Sequence, residues 1–167
     1  MTNNTKRLAV AFTGASNSGK TTLIVNISKK LQNDGYKVAI VKHDPKDKAI
    51  FDKEGKDSYK FSQTGADVAV ISPTRTTVFK KTPSQIDTLV DMFDNFDFLL
   101  VEGLKSLPLP RICIQRDIIN EKYFEPSDTI ATDGSIDSSM FPSNLQLLDL
   151  NNTDQIINWI KQNGKEV

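Results

Sequence analysis

The sequence predicts an α/β fold, in which a mostly parallel sheet is flanked by helices in three layers and has a hairpin at its edge. Short apolar stretches typical of buried strands alternate along the chain with amphipathic stretches typical of helices. Residues 97–101, Asp-Phe-Leu-Leu-Val, carry an apolar run typical of a central strand, because strands inside a parallel sheet are buried on both faces.

Local patterns predict the individual elements. The first strand is expected at residues 7–13, and the first helix at residues 21–31 ends before the turn Asn33-Asp34-Gly35. Trp159 lies in an amphipathic terminal helix and is expected in the core. Further strands are expected at residues 36–42, 66–72, 76–79, 97–101, 111–116 and 129–132, and further helices at residues 57–65, 83–93 and 154–162.

Composition narrows the class of protein. The 21 basic and 21 acidic residues balance, so no basic surface is expected for nucleic acid or an anionic membrane. The single cysteine, Cys113, excludes an internal disulfide framework and is expected to be a buried strand residue in a reducing cytoplasm. Residues 1–7 are polar and lead into a strand, unlike a signal peptide, and no stretch is as long as a transmembrane helix.

A phosphate-binding loop is expected between the first strand and the first helix. Its residues match the pattern G-x-x-x-x-G-K-[ST] at every fixed position. The residues predicted to bind nucleotide here are Gly14, Ala15, Ser16, Asn17, Ser18, Gly19, Lys20, Thr21 and Thr22. Lys20 supplies a cation for the β- and γ-phosphates, and the Thr21 hydroxyl is a ligand for Mg²⁺. The loop predicts a three-layer P-loop NTPase fold, with residues 1–167 as a single nucleotide-binding domain.

Ligands of open parallel sheets bind at the carboxyl ends of the strands, which selects further residues. Glu102 directly follows the apolar run and is predicted to hold Mg²⁺ or to orient an attacking water. Gly103 lets the chain approach the γ-phosphate closely. Asp133 follows the strand at residues 129–132. The alternative for Glu102 is a strand-end charge that points into solvent.

Residues 43–56 form a polar stretch without periodicity and are expected to be a switch loop ordered by nucleotide. His43 is the only histidine, and a solvated loop histidine is as good an interpretation as a ligand. Asp44 is a candidate catalytic residue, and Asp44, Asp47 and Asp52 are candidates around Mg²⁺ or water. The alternative is a solvated acidic loop.

Six segments together resemble the MobB family, the accessory GTP-binding proteins of molybdopterin-guanine dinucleotide biosynthesis. The resemblance extends from about residue 7 to residue 159. The segments are residues 12–22, Lys42-His43, Gly55-Lys56-Asp57-Ser58-Tyr59, Thr64-Gly65-Ala66-Asp67, Leu100-Val101-Glu102-Gly103-Leu104-Lys105 and Ile130-Ala131-Thr132-Asp133. The chain departs from the family after Lys42-His43, where Asp44-Pro45 stands in place of a further histidine pair, and at Glu54, where a proline is common.

The resemblance implies a cytoplasmic homodimer that binds GTP with Mg²⁺ and hydrolyses it slowly at most. It implies that this protein assists the molybdenum-cofactor guanylyltransferase, which joins GMP to molybdopterin, and allows a contact with molybdopterin itself. The base-reading motif Asn-Lys-x-Asp is absent. Asp133 is instead the candidate for guanine, because a carboxylate accepts hydrogen bonds from N1–H and the 2-amino group.

Two other functions remain open from the residues alone. A small-molecule kinase needs cations around the transferred phosphoryl group, and the four arginines are too scattered in sequence for a lid, although Lys56 and Lys105 can serve. A metal-delivery GTPase usually has clustered histidine and cysteine ligands, which this sequence lacks. For the homodimer, Val78 and Phe79 in the edge segment 74–81 are the expected contacts, with ordinary packing inside one subunit as the alternative.

Overall fold

The computed structural model describes residues 6–167 and contains two compact units. The first unit comprises the described residues up to His43 together with Phe93–Val167, and the second unit comprises Asp44–Met92. The prediction of a single domain stays a prediction. In chain order the elements are β1 (Leu8–Gly14), α1 (Lys20–Asn33), β2 (Val38–Lys42), α2 (Asp57–Gln63), β3 (Val68–Ile71), β4 (Thr76–Phe79), α3 (Ile86–Met92), β5 (Phe98–Glu102), β6 (Arg111–Gln115), β7 (Thr129–Thr132), β8 (Gln146–Asp149), α4 (Thr153–Asn163) and β9 (Lys165–Glu166).

The first unit is built on a seven-stranded sheet, counted over the described residues, in the order β2-β5-β1-β6-β7-β8. These six strands are parallel, and the short β9 pairs antiparallel with β1. This arrangement confirms the predicted mostly parallel α/β sheet. It also places the carboxyl ends of all six parallel strands at one edge, where ligands of such sheets bind.

Helices α1 and α4 cover one face of this sheet and form the main core with it. Their apolar stripes pack on side chains from alternate strand positions, as the period of two in a strand requires. Trp159 is 5% exposed, which confirms its predicted place in the core. The fully buried members include Val10, Phe12, Ile27, Leu31, Leu100, Ile112, Ile114, Ile156 and Ile160.

The opposite face of β6 and β7 is covered by the chain between β6 and β8. Cys113 and Ile130 lie on this face and pack with Phe141, and Phe124 and Tyr123 lie against this cluster from a single-turn 3-10 helix and the residue after it. Burial raises the pKa of the Cys113 thiol. The predicted buried position of Cys113 is therefore confirmed, and a raised pKa makes a reactive thiolate unfavourable.

The second unit contains α2, α3 and an antiparallel hairpin of β3 and β4. The hairpin was predicted, and it forms a two-stranded sheet of its own, separate from the edge of the large sheet. Its register pairs Val68 with Phe79 and Ile71 with Thr76. Ile71 and Val78 are exposed large apolar residues on it.

Strand β8 was missed in the sequence because it is short and lies at the edge of the sheet, where only Leu148 of its four residues is buried. The short β9 was missed as well, since two charged residues have no strand pattern. Over residues 6–167, the structure has no helix that combines the length and the apolar character needed to cross a membrane.

Candidate nucleotide-binding site

The loop between β1 and α1 passes close to β6. Gly14, at the end of β1, has φ 142°, and a Cβ there would lie 2.5 Å from the carbonyl oxygen of Ile114. A side chain at this position would therefore collide with the neighbouring strand as well as strain the backbone. Gly19 precedes the helix with φ 97° and provides no side-chain cap. The glycines of the motif are thus required by the shape of the loop itself.

Lys20 begins α1 and folds back over the loop. Its Nζ donates hydrogen bonds to the carbonyl oxygens of Ala15, at 2.6 Å, and Gly14, at 3.1 Å. Burial lowers the pKa of Lys20, and the charge of Glu102 opposes this effect. The ammonium group is thus bound by two neutral carbonyl oxygens. A bound anion would accept stronger hydrogen bonds from it than these carbonyls do.

The start of α1 and the loop before it leave donors available for an anion. The first N–H groups of a helix have no partner inside the helix, and here no side chain caps them. Among the described side chains, the Ser18 hydroxyl is buried without a hydrogen-bond partner. Uncapped N–H groups, a buried hydroxyl and a nearby ammonium fit a phosphate chain.

An open cavity of about 460 Å³ lies in front of the loop. Its lining brings together most of the residues that the sequence predicted for phosphate and metal, namely Ser16, Asn17, Gly19, Lys20, Thr21, Thr22 and Glu102, with Lys42 in addition. Thr21 Oγ1 donates a hydrogen bond of 3.3 Å to Glu102 Oε2. Glu102 is 14% exposed, so its carboxylate faces this cavity rather than open solvent, against the alternative of a solvated strand-end charge.

Lys42 was missed as a site residue. Its Nζ lies 4.0 Å from Glu102 Oε2, because the parallel register of β2 and β5 places Lys42 beside Glu102. The cavity thus has two lysines and one carboxylate. The sequence feature that could have identified Lys42 is its position at the carboxyl end of β2. The sequence analysis instead selected the next two residues, His43 and Asp44.

Gly103 and His43 fix the backbone next to Glu102. The His43 N–H donates to the Glu102 carbonyl at 2.9 Å, and the Gly103 N–H donates to the Phe12 carbonyl at 3.0 Å. Gly103 has φ 87°, and a Cβ there would lie 3.1 Å from the His43 Cβ. His43 is therefore packed beside Gly103 at the end of β2, and Glu102 is held between β1 and β2.

Arg111 binds the loop that follows Glu102, and the sequence analysis missed it as a site residue. Its guanidinium donates to the carbonyl oxygens of Gly103, Leu104 and Leu107 at 3.0–3.1 Å. The residue is 1% exposed, and burial lowers its pKa while Asp128 opposes this effect. The sequence feature that could have identified Arg111 is its position at the start of an apolar strand. A charged side chain buried there needs hydrogen-bond partners inside the protein.

Asp133 lies after β7, outside the residues that line the phosphate cavity. Its Oδ2 is 2.9 Å from Arg116 Nε, and its Oδ1 accepts a hydrogen bond from the Ser135 N–H at 3.1 Å. Hydrogen bonding from the Ser135 side chain contributes most to lowering the Asp133 pKa, and the Arg116 charge adds to it. Asp133 is thus an ionised acceptor at the carboxyl edge of the sheet.

Asp44 belongs to the second unit. Its carboxylate accepts hydrogen bonds from the backbone N–H groups of Lys46, Lys48 and Ala49, which organises the loop that follows. Asp52 accepts from the Ser58 hydroxyl at 3.0 Å. No group of three or more histidine, cysteine or acidic side chains within residues 6–167 is arranged to hold a metal ion. The catalytic role of Asp44 stays a prediction.

Comparison with known proteins places this chain in a family. The model of the MobB family, described as molybdopterin guanine dinucleotide synthesis protein B, matches residues 9–133. The chain belongs to the MobB family. The family predicted from the sequence is therefore confirmed, and its main function, an accessory protein of molybdopterin-guanine dinucleotide biosynthesis, is confirmed at the level of the family.

Individual MobB relatives agree over most of the chain. Proteins called molybdopterin-guanine dinucleotide biosynthesis adapter protein are 31% identical over 170 residues in Escherichia coli and 30% identical over 159 residues in Haemophilus influenzae. These matches cover 93% of this chain and 95% of the first relative, and 91% of this chain and 86% of the second. The crystal structure of Bacillus subtilis MobB shares the fold, with a TM-score of 0.73 at 23% identity over 95% of this chain and 98% of that one.

Proposed function

We propose that this chain binds GTP together with Mg²⁺ in the cavity at the β1–α1 loop. We further propose that it acts as an adapter for the guanylyltransferase that attaches GMP to molybdopterin. The observation that supports this most directly is the hydrogen bond between Thr21 and Glu102 beside Lys20, because phosphate and metal ligands then converge at one point. The names of the relatives support the pathway.

Phosphate binding would use groups that already face the cavity. Lys20 would exchange its two loop carbonyls for phosphate oxygens, which form stronger, charge-assisted hydrogen bonds. The uncapped N–H groups at the start of α1 and the unpartnered Ser18 hydroxyl supply further donors. Lys42 adds a second positive charge, 4.0 Å from Glu102 Oε2.

The metal ligands that we propose are Thr21 and Glu102. A hydroxyl and a carboxylate are hard oxygen ligands of the kind that Mg²⁺ takes beside phosphates. When bound, the ion would neutralise charge on the phosphates. Glu102 would contact the metal directly or through water, and it is also the candidate for orienting the attacking water, as is Asp44.

Hydrolysis by this chain alone is expected to be slow. An arginine aimed at the transferred phosphoryl group raises turnover by about 10³–10⁵ in related reactions. In the first unit, Arg7 donates to the Asp94 carbonyl, Arg111 is buried beneath a loop, and Arg116 pairs with Asp133. These three guanidinium groups are already engaged, which also weighs against the kinase alternative.

The proposed partners are the guanylyltransferase and a second copy of this chain, in the cytoplasm. The hairpin of β3 and β4 is our candidate for the contact between copies, because its exposed apolar side chains, including Ile71 and Val78, need cover. A contact with molybdopterin remains part of the proposal. The lack of a cluster of metal-ligating side chains in the described residues offers no support for the metal-delivery alternative.

The test is calorimetric titration of GTP into the wild type, Lys20→Ala and Lys29→Ala, with and without Mg²⁺. Lys29 is exposed on the same helix and serves as the matched control. Loss of the charge-assisted bonds should weaken GTP binding about ten- to a hundredfold in Lys20→Ala alone. Equal affinity in all three folded proteins contradicts the proposal, and phosphoryl transfer to a small acceptor would indicate a kinase.

A further inference from the structure

Two exposed lysines of the first unit share one tyrosine ring. Lys105 Nζ lies 3.9 Å from the centroid of the Tyr123 ring, and Lys122 Nζ lies 5.0 Å from the same centroid. Within residues 6–167 neither ammonium group forms an ion pair, although Glu121 and Glu125 are close in sequence. We call Lys105 and Lys122 the lysine pair. Two like charges near one ring repel each other, and a bound anion would remove this repulsion.

The loop that carries Lys105 has a strained and fixed backbone. Leu104 has φ 48°, in the left-handed region that residues with a side chain rarely adopt. The buried Arg111 guanidinium donates to the carbonyl oxygens of Leu104 and Leu107, which lie before and after this lysine. Strained conformations persist only where surrounding contacts impose them, and they are frequent at functional sites. The fold therefore fixes the backbone from which Lys105 extends.

Tyr123 is also held in place. It is the last residue of the 3-10 helix Glu121–Tyr123, and it packs against the buried cluster that contains Cys113. Its carbonyl oxygen accepts a hydrogen bond of 2.6 Å from the Ser127 hydroxyl. Its own hydroxyl forms no hydrogen bond with another described residue. The ring is thus a fixed surface with a phenol donor at one end and the lysine pair over it.

The lysine pair lies close in the chain to the nucleotide cavity. Lys105 is three positions after Glu102, which lines that cavity, so the two Cα atoms are at most about 11 Å apart. Burial raises the pKa of the Cys113 thiol, and the charges of Lys105 and Lys20 both oppose this rise. Lys105 and the lysine of the phosphate loop therefore act on the same thiol.

We propose that Lys105, Lys122 and the Tyr123 hydroxyl form a second anion site, which takes the phosphate monoester of the small organic acceptor to which the partner enzyme joins GMP. This inference rests on the proposed function and concerns a ligand other than GTP. A phosphate monoester carries a charge of about −1.5 to −2 at neutral pH, which matches two ammonium groups. Lysine binds phosphate as a point charge, and the phenol supplies a further donor.

The chemistry of the partner enzyme requires such an acceptor. In a dinucleotide two phosphates are joined, and because GMP brings one of them, the acceptor brings the other. An oxygen of the acceptor phosphate attacks the α-phosphorus of GTP and forms the new P–O bond. The bond from the α-phosphorus to the oxygen that bridges to the β-phosphate breaks, and pyrophosphate leaves with its electron pair. A chain that binds GTP and the acceptor phosphate at separate sites would present both substrates to the enzyme.

The test is an NMR titration of the full chain saturated with Mg²⁺ and the non-hydrolysable GTP analogue GMP-PNP, so that the phosphate loop is already occupied. The ligands are neopterin monophosphate, neopterin, inorganic phosphate and a phosphoserine peptide. Neopterin monophosphate joins a pterin to a phosphate monoester, and neopterin lacks the phosphate. We expect neopterin monophosphate to shift the backbone amide signals of Lys105, Lys122 and Tyr123, and neopterin to leave them unchanged.

Three variants and a matched control locate the site. Lys105→Ala and Lys122→Ala should each weaken neopterin monophosphate binding about five- to tenfold, and Tyr123→Phe about two- to fivefold. Lys161→Ala is the control, because Lys161 Nζ also lies over a tyrosine ring, 4.9 Å from the centroid of Tyr36, and it should bind as wild type. GMP-PNP affinity should stay within about twofold of wild type in all four, since none of these residues lines the nucleotide cavity.

Unchanged amide signals at Lys105, Lys122 and Tyr123 would overturn the inference. Equal weakening in Lys161→Ala would overturn it as well, because it would show a general charge effect. Inorganic phosphate that binds as tightly as neopterin monophosphate would mean that no organic acceptor is recognised, and tighter binding of the phosphoserine peptide would assign the site to a protein partner. If GMP-PNP does not bind, the proposed function fails, and the same titration of the nucleotide-free chain then decides the anion site separately.

Discussion

The Thr21 hydroxyl donates a hydrogen bond to Glu102 across 81 positions of sequence, at a distance of 3.3 Å. This contact joins the first turn of α1 to the last residue of β5. It forms because β1 and β5 are parallel neighbours, with Phe12 paired to Glu102. The phosphate loop follows β1 and leads into α1, which begins at Lys20. Both oxygens and Lys20 therefore line the same cavity.

Replacing Thr21 with valine should remove the effect of Mg²⁺ on GTP binding. Valine keeps the shape of threonine and lacks the hydroxyl, so one metal ligand is lost while the loop remains intact. We expect affinity to fall about tenfold with Mg²⁺ and to change little in EDTA. Thr21→Ser keeps the hydroxyl and should behave as wild type. The metal assignment fails if valine and serine at this position give the same Mg²⁺ dependence.

The charge of Lys20 should make phosphate binding sensitive to alkaline pH. Burial lowers its pKa below the 10.5 of an ordinary lysine. Phosphate binds the ammonium form, so affinity is full below the pKa of the free protein and falls as the pH rises through it. Tripolyphosphate is the appropriate probe in calorimetry, because guanine N1–H also ionises in alkali. Lys20→Arg keeps its charge throughout and should lose less affinity than the wild type over the same pH range. Identical pH profiles for the two proteins would contradict the assignment.

Exchange of Asp133 for asparagine should change the preferred base. Asparagine offers one acceptor and one donor, which match N1–H and the C2 carbonyl of xanthine rather than the two donors of guanine. In competition binding, Asp133→Asn should therefore favour XTP over GTP by about tenfold or more, and the wild type should favour GTP over both XTP and ATP. If Asp133→Asn keeps the wild-type order of preference, residues other than Asp133 recognise the base.

Loss of the Arg111 guanidinium should destabilise the first unit. Arg111→Met keeps apolar length and leaves three loop carbonyls without their donor, at a cost of about 2–4 kcal/mol in the free energy of unfolding. Urea denaturation measures the change, with Lys29→Met as the control at an exposed position of the same unit. Equal unfolding midpoints for these two variants would mean that the buried guanidinium contributes no net stability.

Charged residues in the hairpin should separate a dimer. Val78 is 44% exposed, and Phe79 is its neighbour in β4. Val78→Asp/Phe79→Asp should convert a dimer to a monomer in light scattering at micromolar concentration, while Lys60→Asp on α2 should not. A wild type that is monomeric with and without GTP refutes the dimer, and a double variant that stays dimeric refutes this interface alone.

The sequence determined the elements whose signals are local. The glycine pattern of residues 14–21 predicted a phosphate loop, and the structure forms it with Gly14 at a positive φ that residues with a side chain rarely adopt. The apolar run before Glu102 predicted a central strand, and β5 lies between β1 and β2. Such features depend on backbone conformation and burial over a few neighbouring residues, which short patterns encode. The boundaries of α1 and α4 differ from prediction by one or two residues.

Only the tertiary structure decided which distant residues meet. Lys42 reaches Glu102 because β2 and β5 are in register, and Arg116 reaches Asp133 because β6 and β7 are. Arg111 carries no local sign of the three carbonyls that it binds. The hairpin pairs with itself rather than with the large sheet. Strand order and register are set by pairing between segments far apart in the chain, and no local pattern specifies which segments will pair.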